Sequence, residues 1–281
     1  MVDINVLLNK LSFIELNARE RAKSLLDADS FRELLDPFMG IVSPWLAQQN
    51  IVPQADDGVV VVKGTIQQRP VLVISIEGIF QGGSLGEVGG AKIAGALELA
   101  IEDNQKGIPT AAVLLLETGG VRLQEANLGL AAIAEIHAAI VGLRQYQPVI
   151  AVVAGSVGCF GGMSIAAGLC SYIIMTQEGR LGLNGPQVIE QEAGIDEYDS
   201  KDRPFIWSIT GGQQRFASHL VDAFVQDDRK HIQQKVSEYL VQGVPTQHRS
   251  SQFDFYLKHL TQLDTTQHVT PVQVQTLYQG E

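Results

Sequence analysis

The sequence predicts an α/β fold built from repeated units of buried strand, glycine turn and helix. Two observations carry this. Residues 111–116 and 149–154 are short, charge-free apolar runs, the composition of strands covered on both faces. Each leads into a glycine turn and then a helix-forming stretch. In addition, 23 of the 28 glycines lie between Gly78 and Gly212, so close backbone approach, and with it any chemistry, is concentrated there. A chain of 281 residues, 45% of them hydrophobic, can bury a sizeable core. No linker interrupts it, so residues 1–281 are read as one domain, with a helical N-terminal extension over 1–57 and a polar C-terminal tail over 244–281.

In order along the chain, residues 6–35 read as helical. The pieces Ala18-Arg19-Glu20-Arg21-Ala22 and Phe31-Arg32-Glu33-Leu34-Leu35 are amphipathic, with Asp29 or Ser30 as N-cap of the second. Asp36-Pro37, Ser43-Pro44, Pro53 and Asp57-Gly58 mark a loop. Residues 59–66 and 71–77 form a hairpin around a turn at 67–70. A glycine-dense loop over 78–90 precedes a helix from about Lys92 to Asn104. The strand at 111–116 is followed by the turn Glu117-Thr118-Gly119-Gly120 and a helix over 123–144. The strand at 149–154, a second glycine turn, a helix and a strand at 172–176 repeat the plan. Residues 190–203 hold six acids and two bases and read as an exposed loop. Helices are expected near 212–224 and 227–240, and a short one at 253–263.

Several function classes are disfavoured. A formal net charge of −11 does not suit nucleic acid or an anionic membrane surface. The stretch 145–177 lacks any charge and is long enough to span a bilayer, but its β-branched start and its glycines read as strand–turn–helix instead. Cys159 and Cys170 cannot build a disulfide framework, which points to a reducing cytoplasm. The N-terminus has no basic-then-apolar leader pattern. His137, His219, His231, His248, His259 and His268 show no metal-ligand spacing, so no metal is expected, and His137 reads as a packed core residue. Cys159 adjoins the second glycine turn but has no neighbour that would activate it.

Two turns share one design, an apolar strand, paired glycines and a helix start: Gly119-Gly120-Val121 and Gly161-Gly162-Met163. Glycine leaves backbone N–H groups uncovered, and a helix start adds unpaired donors and the positive end of its dipole. Two such turns side by side can hold one oxyanion and polarise a thioester carbonyl. The alternative is that the glycines only permit sharp turns. Gly82-Gly83-Ser84-Leu85-Gly86 fits the nucleophile-elbow pattern literally, which would make Ser84 the nucleophile of a serine hydrolase. It fits equally a loop on which an extended ligand lies. Arg122, Gln124 and Glu125 open the next helix, either facing substrate or forming an ordinary polar first turn.

These residues resemble the acyl-CoA carboxyltransferases of the crotonase-like fold. The resemblance rests on Ala18-Arg19-Glu20-Arg21 with Leu25-Leu26-Asp27 and Ser30 to Leu34, and on Gly82-Gly83-Ser84-Leu85-Gly86-Glu87. It continues through Thr118 to Glu125, Gly161-Gly162, Ile173-Ile174-Met175 and Gly185-Pro186-Gln187-Val188-Ile189. Val121 stands where carboxyltransferases often carry Ala. The resemblance implies a spiral of stacked ββα units. The short chain holds one crotonase half and no zinc ribbon, and so is similar to the β chains of biotin-independent malonate decarboxylases, one branch of the family.

That branch implies decarboxylation of a malonyl thioester through an enolate at the catalytic turns Gly119-Gly120-Val121 and Gly161-Gly162-Met163, held by the backbone N–H groups of Gly120 or Val121 and of Gly162 or Met163. Gly82, Gly83, Ser84, Leu85, Gly86, Arg122, Gln124 and Glu125 would then hold the substrate's pantetheine. No biotin, metal or other cofactor is expected on the chain itself; a CoA-like phosphopantetheine arm arrives on an acyl carrier protein. Implied partners are a γ-type crotonase-like subunit, the acyl carrier protein subunit and the acyl carrier protein transferase subunit. Other readings are a biotin-dependent carboxyltransferase subunit, the serine hydrolase, and a catalytically silent scaffold.

Overall fold

A computed structural model describes residues 11–264, 266–267 and 269–279. The start of the expected first helical stretch, residues 6–10, and His268 lie outside the described residues. One sheet of seven strands runs in sequence order, β1 (Arg32–Leu34), β2 (Val59–Ile66), β3 (Arg69–Ile76), β4 (Ala111–Leu115), β5 (Val149–Val153), β6 (Tyr172–Thr176) and β7 (Ala223–Val225). β1, β2 and β3 pair antiparallel, and β3 to β7 pair parallel. Each step between parallel neighbours needs a crossover, which winds the chain into the spiral expected of crotonase-like ββα units.

The β2–β3 hairpin closes on Gln67 and Gln68, both at positive φ (49° and 63°). Two-residue hairpin loops need this geometry, and side chains other than Gly, Asn or Asp rarely adopt it. Asp27 supports it: its carboxylate accepts from the amides of Gln67 (2.9 Å) and Gln68 (2.8 Å) and from the Thr65 hydroxyl (2.6 Å). Along β2 the side chains alternate, Val59 and Val61 to one face, Val60 and Val62 to the other. β4, β5 and β6 are buried at every position, as their unbroken apolar sequences require.

On one face of the sheet lie α2 (Glu87–Gln105), α3 (Asn127–Leu143) and α4 (Gly162–Leu169); Leu97, Ile136 and Ala166 join Leu72, Ile74 and Leu114 there. On the other face, α1 (Ala18–Leu25) and α8 (Arg229–Gln242) cover Val71, Val73 and Ile150. A second, shorter ladder of parallel bridges joins Leu85 to Val121, Thr118 to Cys159, and Cys159 to Leu181. It ties the loops beyond the sheet to one another and is what brings the two glycine turns together.

The structure corrects several expectations. Helix over the whole of 6–35 is not what forms: α1 ends at Leu25, and Arg32–Leu34 is an edge strand, Arg32 opposite Lys63. The open hydrogen bonds of β2 outweigh an amphipathic pattern only one turn long. Asp29, expected as an N-cap, sits instead at φ 61°. The segment read as loop at 190–203 includes the end of α5 (Pro186–Ala193) and the first residue of α6 (Arg203–Thr210), the latter capped by Asp202. The helix expected over 212–224 stops at Ala217 as α7 (Gly212–Ala217), and β7 adds to the sheet. The polar tail holds α9 (Phe253–Leu260) and α10 (Pro271–Leu277), the second opened by a Thr270/Gln273 capping box. Among the described residues no helix is long and apolar enough to cross a membrane.

Candidate active site

The two glycine turns touch. A Cβ at Gly120, which has φ 99°, would lie 2.9 Å from the Phe160 carbonyl oxygen and 3.2 Å from the Gly161 Cα. A Cβ at Gly161 would lie 3.4 Å from the Gly120 Cα. Several amides are already engaged. Gly119 N–H donates to Gly82 O (2.9 Å), Gly120 N–H to Thr118 Oγ1 (3.0 Å), and Gly161 N–H to Leu183 O (2.7 Å). The amides of Val121, Gly162 and Met163 donate to nothing among the described residues. Gly162 and Met163 open α4, whose N-cap Gly161 supplies no side-chain acceptor. Of the expected catalytic-turn residues, then, Val121, Gly162 and Met163 have free amides, while Gly119, Gly120 and Gly161 shape the turns.

His137 lies half-buried on α3 with Nε2 2.8 Å from the Gly162 carbonyl oxygen. It is a brace between α3 and the α4 start rather than a core filler.

The glycine loop packs beneath the first turn. Leu85 N–H donates to Gly120 O and Arg122 N–H to Leu85 O, both at 2.8 Å. Gly83, at φ 64°, lies so close to the Glu117 carbonyl that a Cβ there would overlap it. Ser84 follows a short 3-10 turn (Gln81–Gly83), well past the end of β3, and its hydroxyl makes no hydrogen bond among the described residues. A strand running directly into the serine, with a histidine poised on the hydroxyl, is what an elbow requires. Neither is present among the described residues.

Arg122 and Glu125 point inward and pair with each other. Arg122 is fully buried; its Nη1 contacts Asp57 Oδ1 (2.7 Å) and Glu125 Oε1 (3.0 Å), and its Nη2 donates to Ser84 O (2.9 Å). Glu125 also accepts from the Ser43 hydroxyl (2.8 Å) and the Glu87 amide (2.7 Å). Burial, partly offset by Arg122, holds the Asp57 carboxyl above the ordinary aspartate range. Nearby, the buried Lys92 ammonium donates to the carbonyls of Asp56 (3.0 Å) and Val59 (2.5 Å), and burial lowers its pKa. Only Gln124 of the expected trio is exposed. A second buried pair, Arg21 with Glu117, sits under both turns: Glu117 opens the first and accepts from Val157 N–H (3.3 Å) beside the second. The signature Arg21 therefore acts through the turn framework.

Cys159 and Cys170 are both fully buried, and burial pushes both thiols up, that of Cys170 to about 12. Native protein at pH 8 should therefore resist iodoacetamide at least ~10³-fold more than a free thiol, because only thiolate reacts. Mass spectrometry should find alkylation of both only after denaturation. Among the described residues no three His, Cys, Asp or Glu side chains cluster as a metal site.

A cavity of about 330 Å³ touches Gly119 of the first turn and Phe160, the residue before the second, and is lined also by Arg180, Pro186, Val188 and Ser200 among others. Arg180 also borders a neighbouring cavity of about 680 Å³ with Ser156, Gln177, Glu178, Arg203 and Trp207. The sequence carried no signal for Arg180; its partners come from distant segments.

The sequence profile described as carboxyl transferase domain matches residues 15–271. The chain belongs to the carboxyl transferase domain family. It is an enzyme of that family, and the resemblance drawn from Ala18 to Ile189 is confirmed by relatives of the malonate decarboxylase branch. A chain of a Pseudomonas malonate decarboxylase hetero-tetramer, crystallised with malonate, is 66% identical, with a TM-score of 0.96 over 98% of this chain and 100% of that one. A chain of the Pseudomonas malonate decarboxylase MdcD-MdcE hetero-dimer is 59% identical, with a TM-score of 0.77 over 91% of this chain and 98% of that one. The malonyl-S-ACP:biotin-protein carboxyltransferase MADC of Malonomonas rubra is 45% identical over 215 residues, 73% of this chain and 68% of that protein.

Proposed function

We propose that this chain is the β-type subunit of a malonate decarboxylase that acts without biotin. It converts malonyl-S-acyl carrier protein to the acetyl form in company with a γ-type crotonase-like subunit. The single observation that carries the reading is the contact between two glycine turns that leaves the amides of Val121, Gly162 and Met163 undonated. In the reaction the bond from the malonyl CH₂ to its carboxylate breaks. CO₂ departs, and the electron pair flows into the thioester carbonyl as an enolate. A proton then adds at carbon to give the acetyl thioester. No base is needed for CO₂ loss. What is needed is donors fixed where the enolate oxygen forms, each worth about 10²–10³ in rate. The carrier's phosphopantetheine arm would lie over Gly82 and Ser84, the two positions of the 82–86 loop that are not buried, beside the exposed Gln124, and the transferase subunit would load that arm.

An apolar fringe supports a partner next to the site. Leu123, Leu128, Leu130 and Ile165 are exposed on the segments that follow the two turns, and Leu183, whose carbonyl accepts from Gly161 N–H, is exposed beside them. The Pseudomonas relatives are subunits of hetero-dimers and hetero-tetramers. The second reading, a biotin-dependent carboxyltransferase, is favoured by the name of the Malonomonas rubra relative.

The test is CO₂ release from malonyl-S-acyl carrier protein by the reconstituted complex. Turnover should need the γ-type partner, survive avidin and EDTA, and change only a few-fold in Ser84→Ala. Full activity from the isolated chain would remove the shared site. Inhibition by avidin would favour the biotin-dependent reading, and abolition by Ser84→Ala the hydrolase.

A further inference from the structure

Arg180 is built into the wall of the cavity at the turns. Its guanidinium lies between two aromatic rings, 5.5 Å from the centroid of Phe160 and 4.6 Å from that of Trp207. Its Nη2 donates to the carbonyls of Ser156 (2.6 Å) and Val157 (3.3 Å). Its Nε is sealed from solvent without a partner, and its Nη1 donates to nothing among the described residues. No carboxylate lies within ion-pair distance of it among the described residues. The charged groups around it are Arg203, which repels it, and Glu178, which lines the adjoining cavity without pairing with it. Arg215 on α7 donates to Leu181 O instead. A guanidinium fixed by stacking, taken partly out of water and left without a counter-ion is costly unless a ligand supplies the anion.

We propose that Arg180 receives the free carboxylate of the acyl group bound at the two glycine turns. The inference rests on the proposed function and names what its site selects. Gly119, Phe160 and Arg180 line one cavity, so an anion on Arg180 sits at the acyl end of a thioester held by the turns. One open Nη1 edge against walls of Phe160, Pro186 and Val188 suits a small carboxylate attached to an apolar methylene. A diphosphate, with more acceptors, finds too few donors there. The ion pair forms in the ground state and persists into the transition state, where the departing carboxylate still carries much of its charge, and it is lost only once CO₂ has left. Arg180 therefore governs substrate binding and selection rather than the chemical step.

The experiment uses the reconstituted complex and two probes on the same carrier protein, a malonyl-amide analogue that cannot decarboxylate and its acetyl-amide counterpart. Calorimetry on Arg180→Met, which keeps an apolar stem between the two rings, should show malonyl-amide binding weakened about 10- to 100-fold, the span of a charge-assisted hydrogen bond. Acetyl-amide binding should stay within about two-fold, which also certifies the fold. Arg180→Lys should recover part of the loss. In turnover, KM for the malonyl thioester should rise while kcat changes far less. Equal weakening of both probes overturns the proposal, because Arg180 would then brace the turn or hold the carrier's phosphate. Unchanged malonyl binding overturns it too. A wild-type complex that discriminates malonyl from acetyl through Arg180 yet releases no CO₂ would sink the decarboxylase reading and leave this one standing.

Discussion

Gly120→Ala is expected to lower kcat for malonyl-thioester decarboxylation by about 10²–10³, the loss that follows when one oxyanion donor is displaced. Gly120 sits at φ 99°, where a side chain is strained, and its Cβ would lie 2.9 Å from the Phe160 carbonyl oxygen. Backbone atoms on both sides must move apart. The amide that follows is Val121 N–H, one of the three undonated amides of the site. A shift of this peptide misaims the donor, and because its carbonyl also accepts from Leu85 N–H the loop at 82–86 moves with it, so KM should rise as well, though by less than kcat falls. At Gly162 the neighbour of an added Cβ is the Ile133 side chain at 2.7 Å. That position can relax partly through Ile133, so Gly162→Ala should be the milder variant. Single-turnover CO₂ release with circular dichroism on both proteins measures this. Wild-type kcat in a folded Gly120→Ala protein would mean that the first turn does not contact the enolate oxygen.

Much of the sheet could be read before folding because a buried strand has one composition. Residues 111–115, 149–153 and 172–176 are apolar or β-branched throughout, residues 59–66 are so apart from Lys63 and Gly64, and each is a strand. The glycine turns were legible for a related reason, since Gly120 and Gly161 sit at φ 99° and 60°, where side chains are strained. Elements defined by partners rather than by pattern were not. Arg32-Glu33-Leu34 carries the charges of a helix surface but lies along the open edge of β2. α2 begins at Glu87, but Gly89 and Gly90 read as loop and put its start near Lys92; Gly90 is there for packing, since a Cβ on it would strike Ala132 of α3. At the site, polarity alone could not distinguish an arginine facing substrate from one sealed in an internal ion pair. Arg122 proved the second kind, and Arg180, with no motif around it, meets Phe160 and Trp207 only in three dimensions.

Arg122→Met should destabilise the chain by about 3–5 kcal/mol, the usual result of removing one partner from a buried ion pair. For a chain of this size the unfolding midpoint should fall on the order of 10 °C. Asp57, Glu125 and Arg122 are all buried, and two carboxylates share the one guanidinium. Methionine fills much of the volume but leaves both acids facing each other out of water. Asp57 is already held above the ordinary aspartate range by burial, with Glu125 adding to the shift and Arg122 opposing it. Without Arg122 the folded-state pKa rises further above that of the unfolded chain. Between those two values the folded state then binds more protons than the unfolded state, so stability increases as the pH falls. The deficit of Arg122→Met relative to wild type should therefore be largest near pH 7 and shrink towards pH 5. Adding Asp57→Asn should recover part of it at pH 7, because the unpaired charge rather than the lost contact dominates the cost. The same cluster ties Ser84 and Glu87 to the residue after Val121, so kcat should fall with stability. Thermal unfolding of the three proteins across this pH range is the measurement. A deficit that is small, or that does not change with pH, would mean the two acids reach water or another cation once Arg122 is gone.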